Sequence, residues 1–232
     1  KVDGFYFQDF LPNPPNGALV PLGTPYWKIR FCPRETGTWS YVVVCKDATG
    51  TTYSGTFYFV CIPSSSPGFI SNSSTYFQKF SNGEPFFPVG MSIPWNLYAG
   101  GFYIYQTWMD SLIASHANFI KIIMAPWSFG IEWSNTGLGN YTNRLNIAWW
   151  LDWVLNKSEE EGLYLQLCPL IHNEVSTLSI NDWQWSPYNA DNGGPCTNTW
   201  DFYTNSTAIY YYKQKLRYIN ARWGYSAHLS AW

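Results

Sequence analysis

Phe119-Ile120-Lys121-Ile122-Ile123-Met124 is the stretch on which the fold turns. Asn118 leads into it, and a single lysine interrupts an otherwise apolar, β-branched run. That is the signature of a strand buried on both faces. Leu163 to Leu170 repeats the pattern. Between them Ile147, Leu151 and Val154 mark one face of a helix, and Gly162 stands where a left-handed C-cap glycine belongs. Upstream, Tyr105, Trp108, Met109 and Leu112 follow the i, i+3, i+4, i+7 rule. Downstream, Ile209, Tyr212, Leu216 and Ile219 mark a third helix that Gly224 ends, and a further strand begins near Ala227 and runs through His228-Leu229-Ser230-Ala231-Trp232. Apolar strands alternating with amphipathic helices require a parallel sheet covered by helices, an α/β architecture. About four strands are visible, which predicts the first half of a (β/α)8 TIM barrel over 76–232. The long segments after Met124 and Leu170 leave the C-terminal ends of strands, where such barrels build their sites. A doubly wound sheet is the competitor, but no glycine-rich phosphate loop follows any strand.

Residues 1–62 read differently. Tyr26 to Phe31 alternates apolar and polar, Glu35-Thr36-Gly37 and Asp47-Ala48-Thr49-Gly50 are turns, and Trp39 to Cys45 and Tyr53 to Ile62 are further strands. This predicts an incomplete antiparallel β-sandwich. Pro63-Ser64-Ser65-Ser66-Pro67-Gly68 opens a linker over 63–75, short enough that the two parts pack together. Phe77 to Phe80 and Phe86 to Val89 then flank Ser81-Asn82-Gly83-Glu84 as a hairpin.

Composition narrows the chemistry. The 13 basic and 15 acidic residues, 12% of the chain, lack the cationic excess that binding phosphates requires, so no nucleic-acid partner is expected. No apolar run is long enough to span a bilayer. Aromatic residues make up 20%, including 14 Trp, and those in expected loops (Trp95, Trp127, Trp133, Trp183, Trp185) offer flat surfaces for sugar rings as well as core filling. The five cysteines form no CxxC pair, so neither a zinc site nor any other metal or cofactor is expected; three of them, before residue 62, are close enough in sequence to include a disulfide. Asn72, Asn140, Asn156 and Asn205 open N-x-S/T sequons, which favours a secreted glycoprotein.

Several residues could carry a site. Ile171-His172-Asn173-Glu174 directly follows a buried strand, placing His172 and Glu174 for acid/base work or for hydroxyl binding, with a loop anchor as the alternative for Glu174. Lys121 needs a partner inside the barrel unless its ammonium snorkels to a rim. Ser186 to Pro195, with Tyr188 and Asn189, is a rigid turn that either lines a sugar site or satisfies its own backbone. His116, on the first helical stripe, and His228 read as packing residues.

Two stretches resemble a known arrangement. Val2 to Phe10, with Trp27 to Phe31 and Thr36 to Trp39, looks like an immunoglobulin-like domain of unassigned function that precedes a cellulase-like barrel in secreted glycoside hydrolases. Gly83 to Gly90, Ala125 to Trp133, Pro187 to Pro195 and Leu216 to Ser226 resemble glycoside hydrolase family 5-type barrels of clan A. The resemblance implies a retaining hydrolase of β-linked polysaccharide, a β-glucan or mannan. It implies an acid/base glutamate shortly after Trp232 and a nucleophile on a later strand, so the chain is expected to be a fragment cut at both ends and inactive alone. Trp95, Lys121, Trp127, His172, Glu174, Trp185, Tyr188 and Asn189 are the expected saccharide contacts. The family usually places Arg where Lys121 stands, and lysine lacks the planar fork for bidentate contacts. The competing expectation is a non-catalytic extracellular glycoprotein that uses the fold for carbohydrate binding or surface assembly. A half-barrel would also expose an apolar face through which copies self-associate.

Overall fold

The computed structural model describes residues 1–13, 18–73, 77–96, 101–178 and 182–232. The chain opens on an antiparallel hairpin, β1 (Phe5–Asn13) and β2 (Ala18–Lys28). β3 (Gly37–Tyr41), β4 (Val44–Lys46), β5 (Thr51–Tyr53) and β6 (Phe57–Cys61) follow, with β3 paired to β6 and β4 to β5. The described strands of 1–62 therefore form three two-stranded ladders in place of two stacked sheets. Val44, Tyr53, Tyr58 and Val60 stand exposed, so the second and third ladders enclose no apolar layer.

The first ladder has found its cover elsewhere. Phe5 and Phe7 belong to the main core with the helices of the second half, and Trp149 Nε1 donates to Asp9 Oδ1 at 2.9 Å. Within the stretch expected as linker, β7 (Ile70–Asn72) is a strand, and it forms a three-stranded antiparallel sheet with β8 (Gln78–Phe80) and β9 (Pro85–Phe86). The turn expected between Phe80 and Phe86 is present, and the expected end of the linker at 75/76 lies outside the described residues.

The parallel sheet consists of β10 (Gly90–Ser92), β11 (Phe119–Ile123), β12 (Tyr164–Cys168) and β13 (Leu229–Ala231), hydrogen-bonded in that order. α1 (Ile104–Ala114), α2 (Leu145–Glu161) and α3 (Ser206–Trp223) are the crossovers. Ile120, Ile122, Leu165 and Leu167 share one core with Tyr105, Met109, Leu151, Val154 and Ile219, so the helices cover a single face of the sheet. Gly162 caps α2 at φ 76°, as its position predicts. Among the described residues no helix is long and apolar enough to cross a membrane.

Three expectations change. Lys121 sits half-buried on the face away from the helices, at the register of Ser92 and Gln166, with no ion pair among the described residues. Its stem lies on the sheet while the ammonium reaches water, so no buried partner is needed. His116 lies beyond α1, exposed, in a left-handed turn at φ 59°. On α3, Ile219 is buried as expected, but Leu216 is exposed and Lys215 and Arg222 are buried, so the inward face carries two charges among its apolar residues. All five cysteines are free thiols.

Candidate functional site

The sheet's uncovered face has a closed end and an open end. At the N-terminal ends of the strands, Phe80, Phe86 and Tyr164 form an aromatic plug with centroids 5.0–5.3 Å apart. His228 stacks on Tyr164 at 4.5 Å and its Nδ1 meets the Leu163 carbonyl at 2.9 Å, a packing role. Above the plug, Lys121, Gln166 and Cys168 are half-buried.

At the C-terminal ends two tryptophans meet. The ladder runs on through Ile123 N to Pro94 O and Met124 N to Cys168 O, which puts Trp95 and Trp127 just past the ends of neighbouring strands. Their rings lie edge to face, with centroids 5.5 Å apart and planes at 78°. Trp127 remains 36% exposed. The turn that carries it is tight: a Cβ on Gly130 would lie 2.7 Å from the Pro126 Cα. His172, exposed, opens a 3-10 turn (His172–Val175) after β12, and Trp185, 52% exposed, ends another (Trp183–Trp185). Among the described residues no ring contact or hydrogen bond joins either to the tryptophan pair.

Behind this rim lies a second constellation, only partly anticipated by sequence. Glu174 is 1% exposed, and its Oε1 accepts from the Ile171 amide at 3.3 Å. Glu132, also 1% exposed, comes from the loop after β11; its Oε1 accepts from the Gly139 amide at 3.0 Å, while Oε2 has no partner. Lys215 reaches toward both from α3. Burial pushes the Glu174 carboxyl up to about 7, Glu132 and Asp182 add to that, and Lys215 and the Ile171 amide oppose it. Burial raises Glu132 too, against Lys215 and the Gly139 amide. Two carboxylates facing one ammonium, out of water, favour retention of a proton. The buried Tyr141 and Tyr188 hydroxyls border the cluster without partners, and burial raises both.

Asn189 is an anchor: its carbonyl oxygen accepts from the Asp191 amide at 3.1 Å and its Nδ2 donates to the Trp183 carbonyl at 3.1 Å. Gly194 lets this loop close, since a Cβ there would lie 2.3 Å from the Tyr188 carbonyl carbon. Of the expected contacts, then, Trp95, Trp127, His172 and Trp185 are accessible or partly so and Lys121 stands beneath them, whereas Glu174, Tyr188 and Asn189 are interior. Glu132 and Lys215 were missed, although Glu132 lies within a stretch whose resemblance was recognised. Asn72, Asn140 and Asn156 are exposed. Asn205 is half-buried as the cap of α3; its Oδ1 accepts from the amides of Thr207 and Ala208, and its Nδ2 donates to the Pro195 carbonyl. Among the described residues no group of three or more His, Cys, Asp and Glu is placed to hold a metal ion.

No protein-family profile and no curated protein sequence matches the chain. Among solved structures, a putative glycoside hydrolase from Bacteroides vulgatus ATCC 8482 is similar over 99% of this chain, with a TM-score of 0.56 and 14% sequence identity. A second structure, a glycoside hydrolase, is similar over 71% of this chain and 40% of its own, with a TM-score of 0.39 and 12% identity. The chain spans 47% of the first structure's length. That likeness establishes a shared fold.

Proposed function

We propose that this chain is the N-terminal part of a secreted, retaining β-glycan hydrolase of the family 5 type. In this reading an immunoglobulin-like segment precedes the first half of a (β/α)8 barrel. The observation that carries it is the Trp95–Trp127 pair at the C-terminal ends of adjacent parallel strands, above a half-buried face bearing Lys121 and Gln166. That end of a parallel sheet is where barrels of this architecture bind substrate. The sequential strand order and the single helix-covered face support the half-barrel, and the shared fold supports the enzyme class. The catalytic glutamates of a retaining pair, roughly 5 Å apart, are not assigned to any of these 232 residues. Glu132 and Glu174 are poor candidates, each being enclosed.

That enclosure favours a second reading for these 232 residues alone: carbohydrate binding without hydrolysis. Titration with β-glucan and mannan oligosaccharides, alongside a reducing-sugar assay, separates the two. We expect binding without turnover, weakened by Trp127→Ala on the order of tenfold, about 1.4 kcal/mol. Unchanged binding in Trp127→Ala would displace the site from this rim. Turnover by the chain alone would return Glu132 and Glu174 to candidacy.

A further inference from the structure

A groove of about 580 Å³ runs between the N-terminal hairpin and α3, closed at one end by the loop that precedes α2. Its volume falls within the usual range of small-ligand sites, and such sites favour the seams between structural units. Tyr6 and Trp27 face it from β1 and β2, Asn140 from the loop, Gln214 and Arg217 from α3, and Asp3 from the mouth. None of these belongs to the tryptophan rim.

The groove's chemistry is unusual for a seam. Trp27 is 73% exposed, the most exposed tryptophan among the described residues, and it is held in place by Tyr6 opposite it in the ladder, centroids 5.8 Å apart. An aromatic plate of this size left in water is a surface awaiting an apolar face. Around it are groups with hydrogen-bonding capacity to spare. Arg217 Nε donates to Asp3 Oδ2 at 2.8 Å, which leaves its terminal nitrogens open. The Asn140 carbonyl oxygen accepts from Thr142, which leaves its Nδ2 open. The Gln214 amide makes no side-chain hydrogen bond among the described residues.

Charge distinguishes among ligands. At the mouth Asp3 pairs with Arg217 at 2.8 Å and with Lys1 at 3.8 Å, so a carboxylate of the chain already occupies the cationic groups that a phosphate or carboxylate ligand would need. The ring of open amide and guanidinium donors is equally unsuited to a lipid chain, because its insertion would strip their water without replacement. A pyranose ring satisfies both requirements, with C–H bonds on its face and hydroxyls around its edge. We propose that this groove is a saccharide-binding site, additional to the strand rim, that holds a short neutral oligosaccharide with one ring stacked on Trp27. The inference does not rest on the rim reading, since the two share no residue. Asn140 opens a sequon, and a glycan on its Nδ2 would compete for the same space.

The test uses the full chain made without glycosylation and carrying Trp127→Ala, so that rim binding is already weakened. Cellohexaose and mannohexaose are titrated calorimetrically. At least one should bind saturably; adding Trp27→Ala should weaken it tenfold or more, and adding Gln214→Ala instead should weaken it several-fold. Trp27 is exposed enough that its removal should leave thermal unfolding unchanged, and Gln214→Ala reads the same groove if it does not. Binding indifferent to both substitutions, or no binding of either hexasaccharide to the Trp127→Ala chain, overturns the proposal.

Discussion

Glu174→Gln should remove much of the chain's pH-dependent stability between about pH 4.5 and pH 7. The carboxyl is 1% exposed, and burial pushes its pKa from 4.5 up to about 7. In that window the folded chain holds a proton that the unfolded chain has released, so stability falls as pH rises. The contribution is fully present below 4.5 and lost once pH passes about 7. At about 1.4 kcal/mol for each pH unit of separation, the loss is on the order of 3 kcal/mol. Glu132, raised for the same reason, adds to it with the same sign. Asp152 acts oppositely, and only in more acid solution: burial would raise its carboxyl, but Arg222 and Arg30 override that and hold it below 3.8. Glutamine keeps the shape and the acceptor for the Ile171 amide but has no proton to lose. Urea unfolding at about pH 5 and about pH 7.5 measures the difference directly through the midpoint at constant m. The parent should lose roughly 2–3 kcal/mol or more between the two, and the variant should lose less by the part that Glu174 contributes. Parallel slopes in parent and variant would refute the reasoning.

The buried charges elsewhere make their own prediction. Asp152→Asn leaves Arg30 and Arg222 without their shared carboxylate and should cost about 3–5 kcal/mol in urea unfolding, the usual price of an uncompensated buried charge. Asn205→Ala removes the side-chain acceptor for two amides of α3 and should cost about 1 kcal/mol by the same measurement. In a glycosylating secretory host, peptide mass spectra should find glycan at Asn72 or Asn140 and none at Asn156 or Asn205. The Ser158 of the Asn156 sequon is buried within α2 and donates to the Val154 carbonyl, and the Asn205 Nδ2 is already committed to Pro195.

The parallel half of the fold was legible because its strands and helices carry their periodicity openly. Ile120 and Ile122 are buried as their run predicts, and Tyr105 and Met109 fill the core as their spacing predicts. The first 62 residues were harder, because alternation identifies a strand without naming its partner. β1 reads as one strand of a sandwich, yet its phenylalanines pack against helices more than 140 residues away. Of the loop tryptophans offered as sugar surfaces, Trp127 and Trp185 are exposed, whereas Trp183 fills a core cluster with Tyr188 and Phe202. Tyr188 and Asn189 were placed on the rim because their loop follows a strand, but they turned inward, since a loop that folds on itself must satisfy its own amides. His172 was located correctly after β12, but sequence could not show that it stands apart from the tryptophan pair.

The helix α3 was misread for a reason that bears on how the molecule is assembled. Its apolar residues Ile209, Tyr212, Leu216 and Ile219 suggested one inward stripe; Ile219 is buried as expected, but the buried face also includes Lys215 and Arg222. These are seven residues apart, two turns of one face and about 10 Å along the axis. Each draws in acidic groups that come from other elements. Lys215 faces Glu132 and Glu174, one from each loop that follows a central strand. Arg222 shares Asp152 of α2 with Arg30 of the N-terminal segment, at 2.8 and 2.7 Å, and Arg30 also donates to the Arg222 carbonyl at 2.9 Å. A purely apolar face would hold these elements about as tightly, since buried ion pairs seldom exceed a well-packed hydrophobic contact in stability. What charge adds is geometry: the Asp152 carboxylate accepting two guanidiniums fixes the position of each donor in a way that sliding aliphatic surfaces do not. Through Arg222 and Asp152, α3 thereby sets the register of the N-terminal segment that carries Arg30. The groove beneath Trp27 is then positioned by the same helix that lines it through Gln214, Arg217 and Tyr218.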